Sequence, residues 1–457
     1  MKEIKHPYLV RLLSIIGICL GCIVMGLVFT MINTAIPTIQ KSLQIPLIQM
    51  QWMMLSFGII NCAFLVTSGR LADIYGRKKI FLIGLCCSGV GMFIGGHSQG
   101  SGGLIFSLSL AGLGNAILLP VSQAMLVSEF PESYKSRAIA IWASAIASAM
   151  ALGPLVTGGL LEAFGWQWVF WSMIPLFLIS LCFIFLFTRE SKNTIDAPHV
   201  DVKGMILIGI SLSSFAFLIT EFVHLSVWVN GSLLFITVLS FLALWRSSRS
   251  SPSPILLPEL VRKKTFLCAS IASGCLIFYI WSTFFLLPIY LENVRHLSSI
   301  GTGQLMLGIT IPVIVLSPIV GRKYQPHKAW IFIFYGFLCL ILSSILQTFF
   351  RDTTPLPVIF SATLLFGIGY GLITGPTATA AISVVPPYKA GIASGTFVTF
   401  QEIGGTLGLA LVVTAVRLKS TLTQGIQIGS YALFLISLLG VICSLLMKPR
   451  SQKSHDH

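Results

Sequence analysis

Fourteen stretches of about twenty apolar residues, separated by short polar or Pro/Gly breaks, run the length of this 457-residue chain. They lie at 12–36, 49–69, 79–97, 103–127, 138–160, 167–188, 204–223, 227–245, 266–290, 301–320, 329–348, 356–381, 391–416 and 428–447. A helix rises about 1.5 Å per residue, so roughly 20 residues cross the ~30 Å hydrocarbon core of a bilayer. Only 9% of the residues are charged, too few to cover a water-facing surface that ordinarily draws on roughly 25%. The fold class expected is an all-α polytopic membrane protein. Lys2, Lys5 and Arg11 precede the first run as in a signal peptide, but 12–36 is too long for one and no A-x-A-like site follows. It is read as the first span.

An even number of spans places both termini on one side. With the N-terminus in the cytoplasm, 24 of the 29 Lys and Arg fall in cytoplasmic segments and only Lys41, Arg295, Arg351, Arg417 and Lys419 outside. That asymmetry orients the chain by the positive-inside rule. It also explains the net charge of +15, so no nucleic-acid partner is expected. The ten cysteines all lie inside apolar runs and are read as small buried hydrophobes, with neither disulfide nor metal spacing. There is no nucleotide-binding G-x-x-x-x-G-K-S/T loop and no catalytic constellation, so the chain is read as neither an ATPase nor an enzyme, with no cofactor.

"SGRLADIYGRKKIF" (68–81) puts five charges into ten positions between spans 2 and 3. A basic orienting loop accounts for the cations, but not for Gly69, Asp73 and Gly76 at fixed spacing. A shift of 252 residues sets "GRLADIYGRKKIFLIG" on "GRKYQPHKAWIFIFYG", matching Gly69 with Gly321, Arg70 with Arg322, Gly84 with Gly336 and Gly153 with Gly405. A shift of 255 matches Gly112 and Gly114 with Gly367 and Gly369. The implied plan is an N-terminal tail (1–11) and a six-helix bundle (12–188). A linker (189–265) with two extra helices follows, at about 204–223 and 227–245, then a second six-helix bundle (266–447) and a tail (448–457).

With "GRLADIYGRKK" at this place, the chain resembles the major facilitator superfamily, and within it the fourteen-helix drug:proton antiporters. The resemblance covers about 12–447 and extends to "FPESYKSRAIAIW" (130–142), "ALGPLVTGGLLEAFGWQWVFW" (151–171), "LLPIYLENV" (286–294) and "AGIASGTFVTFQEIGGTLGLA" (390–410). It implies alternating access between two bundles, with the loop as a gating latch formed by Gly69, Asp73, Gly76, Arg77 and Lys78. Asp73 and Arg77 are also spaced i, i+4, as a helical ion pair would be. "GPLVTGG", with Gly153, Pro154, Gly158 and Gly159, resembles the antiporter motif and so implies export. Upstream, Ala140 and Ala149 replace the family's glycines.

Two departures bear on mechanism. Val28 stands where such exporters carry an acid in the first span, and Leu108 where the fourth span has Arg; Ala111 replaces a frequent Gln. The ionisable group left near mid-membrane is Glu402 in "TFQEIGGTLG", where the family more often has Gln. A carboxylate there is expected to be protonated, paired or facing a cavity. Gln401, Asn33, Asn61, Asn115 and Gln123, with Thr34 and Gln304, are candidate cavity-lining groups, although such residues also bond helix to helix. Glu221, His224, Glu292 and His296 are read as interfacial. The expected function is proton-coupled efflux of small amphiphiles by a monomer in a bacterial inner membrane. The alternatives are a metabolite or siderophore carrier without that coupling, or a transport-inactive sensor.

Overall fold

The computed structural model describes residues 7–129, 135–191, 201–223, 225–251, 258–325, 328–385 and 390–448. Within them the chain is helical: α1 (Pro7–Leu43), α2 (Leu47–Tyr75), α3 (Arg77–Gly96), α4 (Ser101–Glu129), α5 (Lys135–Phe164), α6 (Gln167–Trp171), α7 (Met173–Phe187), α8 (Val202–Glu221), α9 (Val227–Ser250), α10 (Pro258–Val261), α11 (Lys264–Asn293), α12 (Ser299–Lys323), α13 (Ala329–Thr348), α14 (Leu356–Ser383), α15 (Ala390–Arg417) and α16 (Leu422–Leu446). Thirteen segments among the described residues are long and apolar enough to cross a membrane. The remaining expected span, the fifth (138–160), corresponds to α5, whose apolar part is Ser148–Phe164. The sixth span is interrupted at Ser172, which separates α6 from α7. Residues 130–134, 192–200, 252–257, His224 and most of both expected tails lie outside the described residues.

Packing repeats one pattern twice. α1 lies on α5 and α7, α2 on α4, and α3 on α4 and α7; α11 lies on α15 and α16, α12 on α14, and α13 on α14 and α16. The 252-residue shift seen in the sequence carries α3, Arg77–Gly96, onto α13, Ala329–Thr348, end for end. The glycine matches have a physical cause. A Cβ on Gly112 would meet the Phe57 carbonyl of α2 at 2.5 Å, and one on Gly367 would collide with the Ile309 carbonyl of α12. Phe57 and Ile309 are themselves 252 apart, so the same backbone-to-backbone crossing is built in each set, where only a glycine lets the helices approach.

The two sets meet along α2/α15, α5/α12 and α1/α11. The hairpin α8/α9 lies outside them, joined internally by Ser211 Oγ to Ser240 Oγ (2.8 Å) and Ser214 Oγ to Thr237 Oγ1 (2.9 Å). α8 also rests on both α2 and α15. One expectation is corrected here: Cys86 and Cys182 are free thiols on exposed helix faces, not core residues. In a membrane bundle the outer face is as apolar as the interior, so hydrophobicity does not sort one from the other.

Candidate functional site

Asn61, Asn115 and Glu402 each fall near the middle of a long helix, and the fold brings them together. Asn61 Nδ2 donates to Glu402 Oε2 at 2.7 Å, and Asn115 Nδ2 donates to Asn61 Oδ1 at 3.1 Å. The chain of bonds runs from α4 through α2 to α15 and so crosses from one set to the other. Glu402 itself is half-buried, so a carboxyl bonded on one oxygen retains a partly open face. Beside it, Gln401 Nε2 donates to Ser273 Oγ of α11 at 2.6 Å. An aromatic layer closes over this level toward the end opposite the chain termini, the distal end: Trp281 lies 5.2 Å from Phe29 and 6.0 Å from Phe57, and Phe284 lies 5.9 Å from Phe29.

Other candidates are placed elsewhere. Asn33 donates to the Phe29 carbonyl of its own helix at 2.7 Å and is fully buried, so it does not join Glu402. Thr34 is buried against Met306 of α12, and Gln304 is exposed. Gln123 is half-buried about two helical turns from Asn115 toward the terminal end. Val28, Ala111 and Asn115 line one narrow cleft with Met25 and Phe177, and Leu108 is buried nearby in the same core. No ionisable side chain lines this cleft, whose polar groups are Asn115 and Ser88.

In "GPLVTGG", Gly153 packs against Thr30 of α1, while a Cβ on Gly158 would sit 2.6 Å from the Ser299 carbonyl of α12. The Pro154 carbonyl lies against Gly303 of α12, and Gly159 faces open space. The motif is thus half of the α5/α12 contact.

The distal end is tied by residues that sequence reasoning did not single out. Gln51 Nε2 donates to the carbonyls of Leu409 and Ala410 (3.3 and 3.2 Å) and to Thr414 Oγ1 (3.1 Å). Arg417 donates to Gln51 Oε1 at 3.1 Å and to the Thr220 carbonyl of α8 at 3.3 Å, and Trp52 donates to Glu221 at 3.3 Å. Glu221 is half-buried, whereas Glu292 is buried, at 6% exposure. The helix ends converge over it, which a one-dimensional reading of span boundaries does not register.

At the terminal end, Arg77 pairs with Asp73 at 2.9 Å, as the i, i+4 spacing predicts. Gly76 has φ +117°, a conformation that glycine adopts without strain. The Glu190 carboxylate occupies the space beside it and accepts the N–H groups of Lys78 (3.0 Å) and Lys79 (3.2 Å), capping α3. Lys78 Nζ donates to the Phe185 carbonyl at 2.7 Å. Gly69 lies against Pro120. Each of these bonds stays within the first set of helices.

The model of the Major Facilitator Superfamily matches residues 18–409. The chain is 29% identical over 425 residues to the multidrug resistance protein Stp of Mycobacterium tuberculosis, covering 91% of this chain and 78% of that one. It is 26% identical to the riboflavin transporter RibZ of Clostridioides difficile (87% and 86% covered) and 25% identical to the probable multidrug resistance protein EmrY of Escherichia coli (84% and 76%). Among solved structures, a POT family transporter in complex with 5-aminolevulinic acid superposes with a TM-score of 0.71 at 16% identity, covering 98% of each chain. The human organic anion transporter MFSD10 gives 0.63 at 15%, covering 97% of this chain and all of that one. A repeated six-helix pattern, a motif loop between α2 and α3 and a family match over most of the chain lead to one assignment: this is a membrane transporter belonging to the Major Facilitator Superfamily.

Proposed function

We propose that the protein exports small amphiphilic compounds by alternating access, exchanging them for protons at Glu402. The observation that carries this reading is the Asn61–Glu402 bond, a mid-helix carboxyl held across the boundary between the two sets. Rocking of one set against the other breaks that bond, so the carboxyl can exchange its proton in one state and meet substrate in the other. Burying a carboxylate without compensation is expensive, which makes its occupancy by proton or cation sensitive to the state. The relatives named for multidrug resistance support efflux as the direction.

In this reading the bundles are 12–188 and 266–447, with 189–265 as linker and inserted hairpin. Both termini face the cytoplasm of a bacterial inner membrane, and the unit is a monomer. Gln401, Asn115 and Gln123 line the path, Asn33 supports α1, the Asp73–Arg77 loop is the terminal-side latch, and Gly153, Pro154, Gly158 and Gly159 form the packing seam of α5. A second reading is favoured by the uncharged cleft lined by Val28 and Ala111: a neutral or anionic metabolite as the cargo. The riboflavin transporter among the relatives is consistent with it.

The test is substrate-induced collapse of a proton gradient in inverted vesicles, with cationic, neutral and anionic compounds and with Glu402→Gln beside the wild type. Collapse by lipophilic cations that Glu402→Gln abolishes is the expected result. Flux of neutral or anionic compounds alone, with no response to cations, establishes the second reading. Proton flux unchanged in Glu402→Gln removes that carboxyl from the mechanism.

A further inference from the structure

Glu292 lies in the last turn of α11, where the chain is about to leave the bundle, yet it is 6% exposed. Thr38 Oγ1 of α1 donates to its Oε2 at 3.3 Å, and Ser299 Oγ, on the first residue of α12, donates to its Oε1 at 3.1 Å. Thr38 belongs to the first set of helices and Ser299 to the second, so this carboxyl spans the distal closure. A second carboxylate holds the same turn of α12 from the other side: Glu162 Oε1 accepts the Ile300 N–H at 3.0 Å. One helical turn before Glu162, Gly158 lies against the Ser299 carbonyl and the Ile300 Cα.

The two acids differ in the way that matters for titration. Glu162 is exposed even with the gate shut. Glu292 loses its water when α1, α11 and α12 close over it, and among the described residues hydroxyls rather than a cation bond it. The charged groups facing it are Lys41 on α1 and Glu162 on α5; the first turn of α12 contributes no acid, and the α11/α12 connection carries Arg295 and His296. An ionised carboxyl to which no cation is hydrogen-bonded is costly to enclose in an apolar bundle, a cost that Lys41 offsets only in part.

We infer that Glu292 is a second proton-binding site, at the distal gate, which takes up a proton from distal water as the gate closes and returns it as the gate opens. The inference rests on alternating access but not on the chemistry of Glu402. By linkage, the state that binds more protons is favoured as pH falls, so acid on the distal side favours the closed gate.

The test reads the gate itself. Fluorophores are introduced through unnatural amino acids at Gln44 and His296, exposed positions beyond the ends of α1 and α11. The full-length protein is held in lipid nanodiscs without substrate and carries Glu402→Gln, so that the midplane carboxyl contributes no titration. The closed population should rise as pH falls. That response should be lost when Glu292→Gln is added, and should persist in Glu162→Gln with the gate more open at every pH. A response that survives Glu292→Gln, or a gate indifferent to pH while Glu292 is present, overturns the proposal. If the Glu292→Gln protein does not fold, Thr38→Val keeps the carboxyl but removes one donor, and a titration midpoint that does not move overturns it equally. Because no substrate enters the measurement, failure of proton-coupled export in vesicles does not affect its outcome.

Discussion

The seams α2/α15 and α5/α12 are copies of each other, because the 252-residue shift carries α2 onto α12 and α5 onto α15. Their chemistry has diverged. Gln51 and Ala410 on one seam occupy the places of Gly303 and Gly158 on the other, and Asn61 and Glu402 occupy those of Val313 and Met150. On α2/α15 an amide side chain bridges the helices through three acceptors. On α5/α12 the one side-chain bridge described lies at the distal end, from the Ile300 N–H to Glu162, and below it a Cβ on Gly303 would stand 2.6 Å from the Pro154 carbonyl. The polar seam is also the one that α8 covers, with Gly209 close to Ala63 and Glu221 bonded to Trp52. The bare seam carries Pro154, Pro312 and Pro318 and turns Leu155, Val156 and Val315 outward. A buried amide or carboxyl is stable beside lipid only when lipid cannot reach it, whereas close-packed glycines need no such shield. A duplicated interface has thus been divided: one copy holds the mid-helix polar chemistry under a cover, and the other holds the close helix approach.

That division is broken most directly at the glycines. Gly158→Leu or Gly303→Leu should force α5 and α12 apart; overpacking costs about 1–3 kcal/mol, roughly a 5–150-fold shift of the equilibrium away from the distal-closed state. The gate fluorophores read the shift, and a closed population unchanged by both variants would remove α5/α12 from the closure. Gln51→Leu on the other seam should act in the same direction but less, about 1–2 kcal/mol, since each lost bond contributes about 1 kcal/mol net. An effect larger than that of the glycine variants would reverse the ranking of the two seams. Trp52→Phe removes the single bond to Glu221 and should lower the melting temperature by an amount equivalent to about 1 kcal/mol or less. Its sharper readout is the α8 cover: lipid-soluble quenchers should gain access to a probe at Ala63, and unchanged quenching would mean that the cover does not depend on this bond.

Much of this was legible in the sequence, for reasons that differ by level. Apolar runs of fixed length dictate membrane helices, and Gly112 and Gly367, matched at a shift of 255, mark real crossings, because a helix–helix approach tolerates nothing larger there; Gly69 and Gly321, matched at 252, do not, since Gly321 faces open space. Asn61, Asn115 and Glu402 stand out individually as polar groups in oily helices. That they bond to one another was not legible, since it depends on how three helices are rotated about their axes. The burial of Glu292 was not legible, because it comes from α1 and α12 arriving from elsewhere in the chain. Glu190 was missed because it lies more than a hundred residues from the loop that it caps, although "GRLADIYGRKK" already signalled a tight turn needing support.

The smallest expected effect on the closed state lies away from both seams, in the motif loop. Asp73 pairs with Arg77 within a single turn, and their side chains are 31% and 21% exposed. A surface pair of this kind contributes about 0–1 kcal/mol, so Asp73→Asn should leave the melting temperature and the distal-closed population nearly unchanged. The loop is bonded within the first set, through Glu190 and Phe185, while the distal end is closed. If Asp73 is a latch, it must exchange Arg77 for a partner across the boundary when the distal end opens and the terminal end shuts. Asp73→Asn should then abolish flux in protein that is otherwise folded and distally closed, because the return state loses the bond that shuts it, whereas the distal-closed state loses only the partly exposed pair with Arg77. Loss of folded protein would instead make the pair an anchor for the α2/α3 turn. Full flux would mean that the terminal-side closure is made, as the distal one is, by the seams themselves.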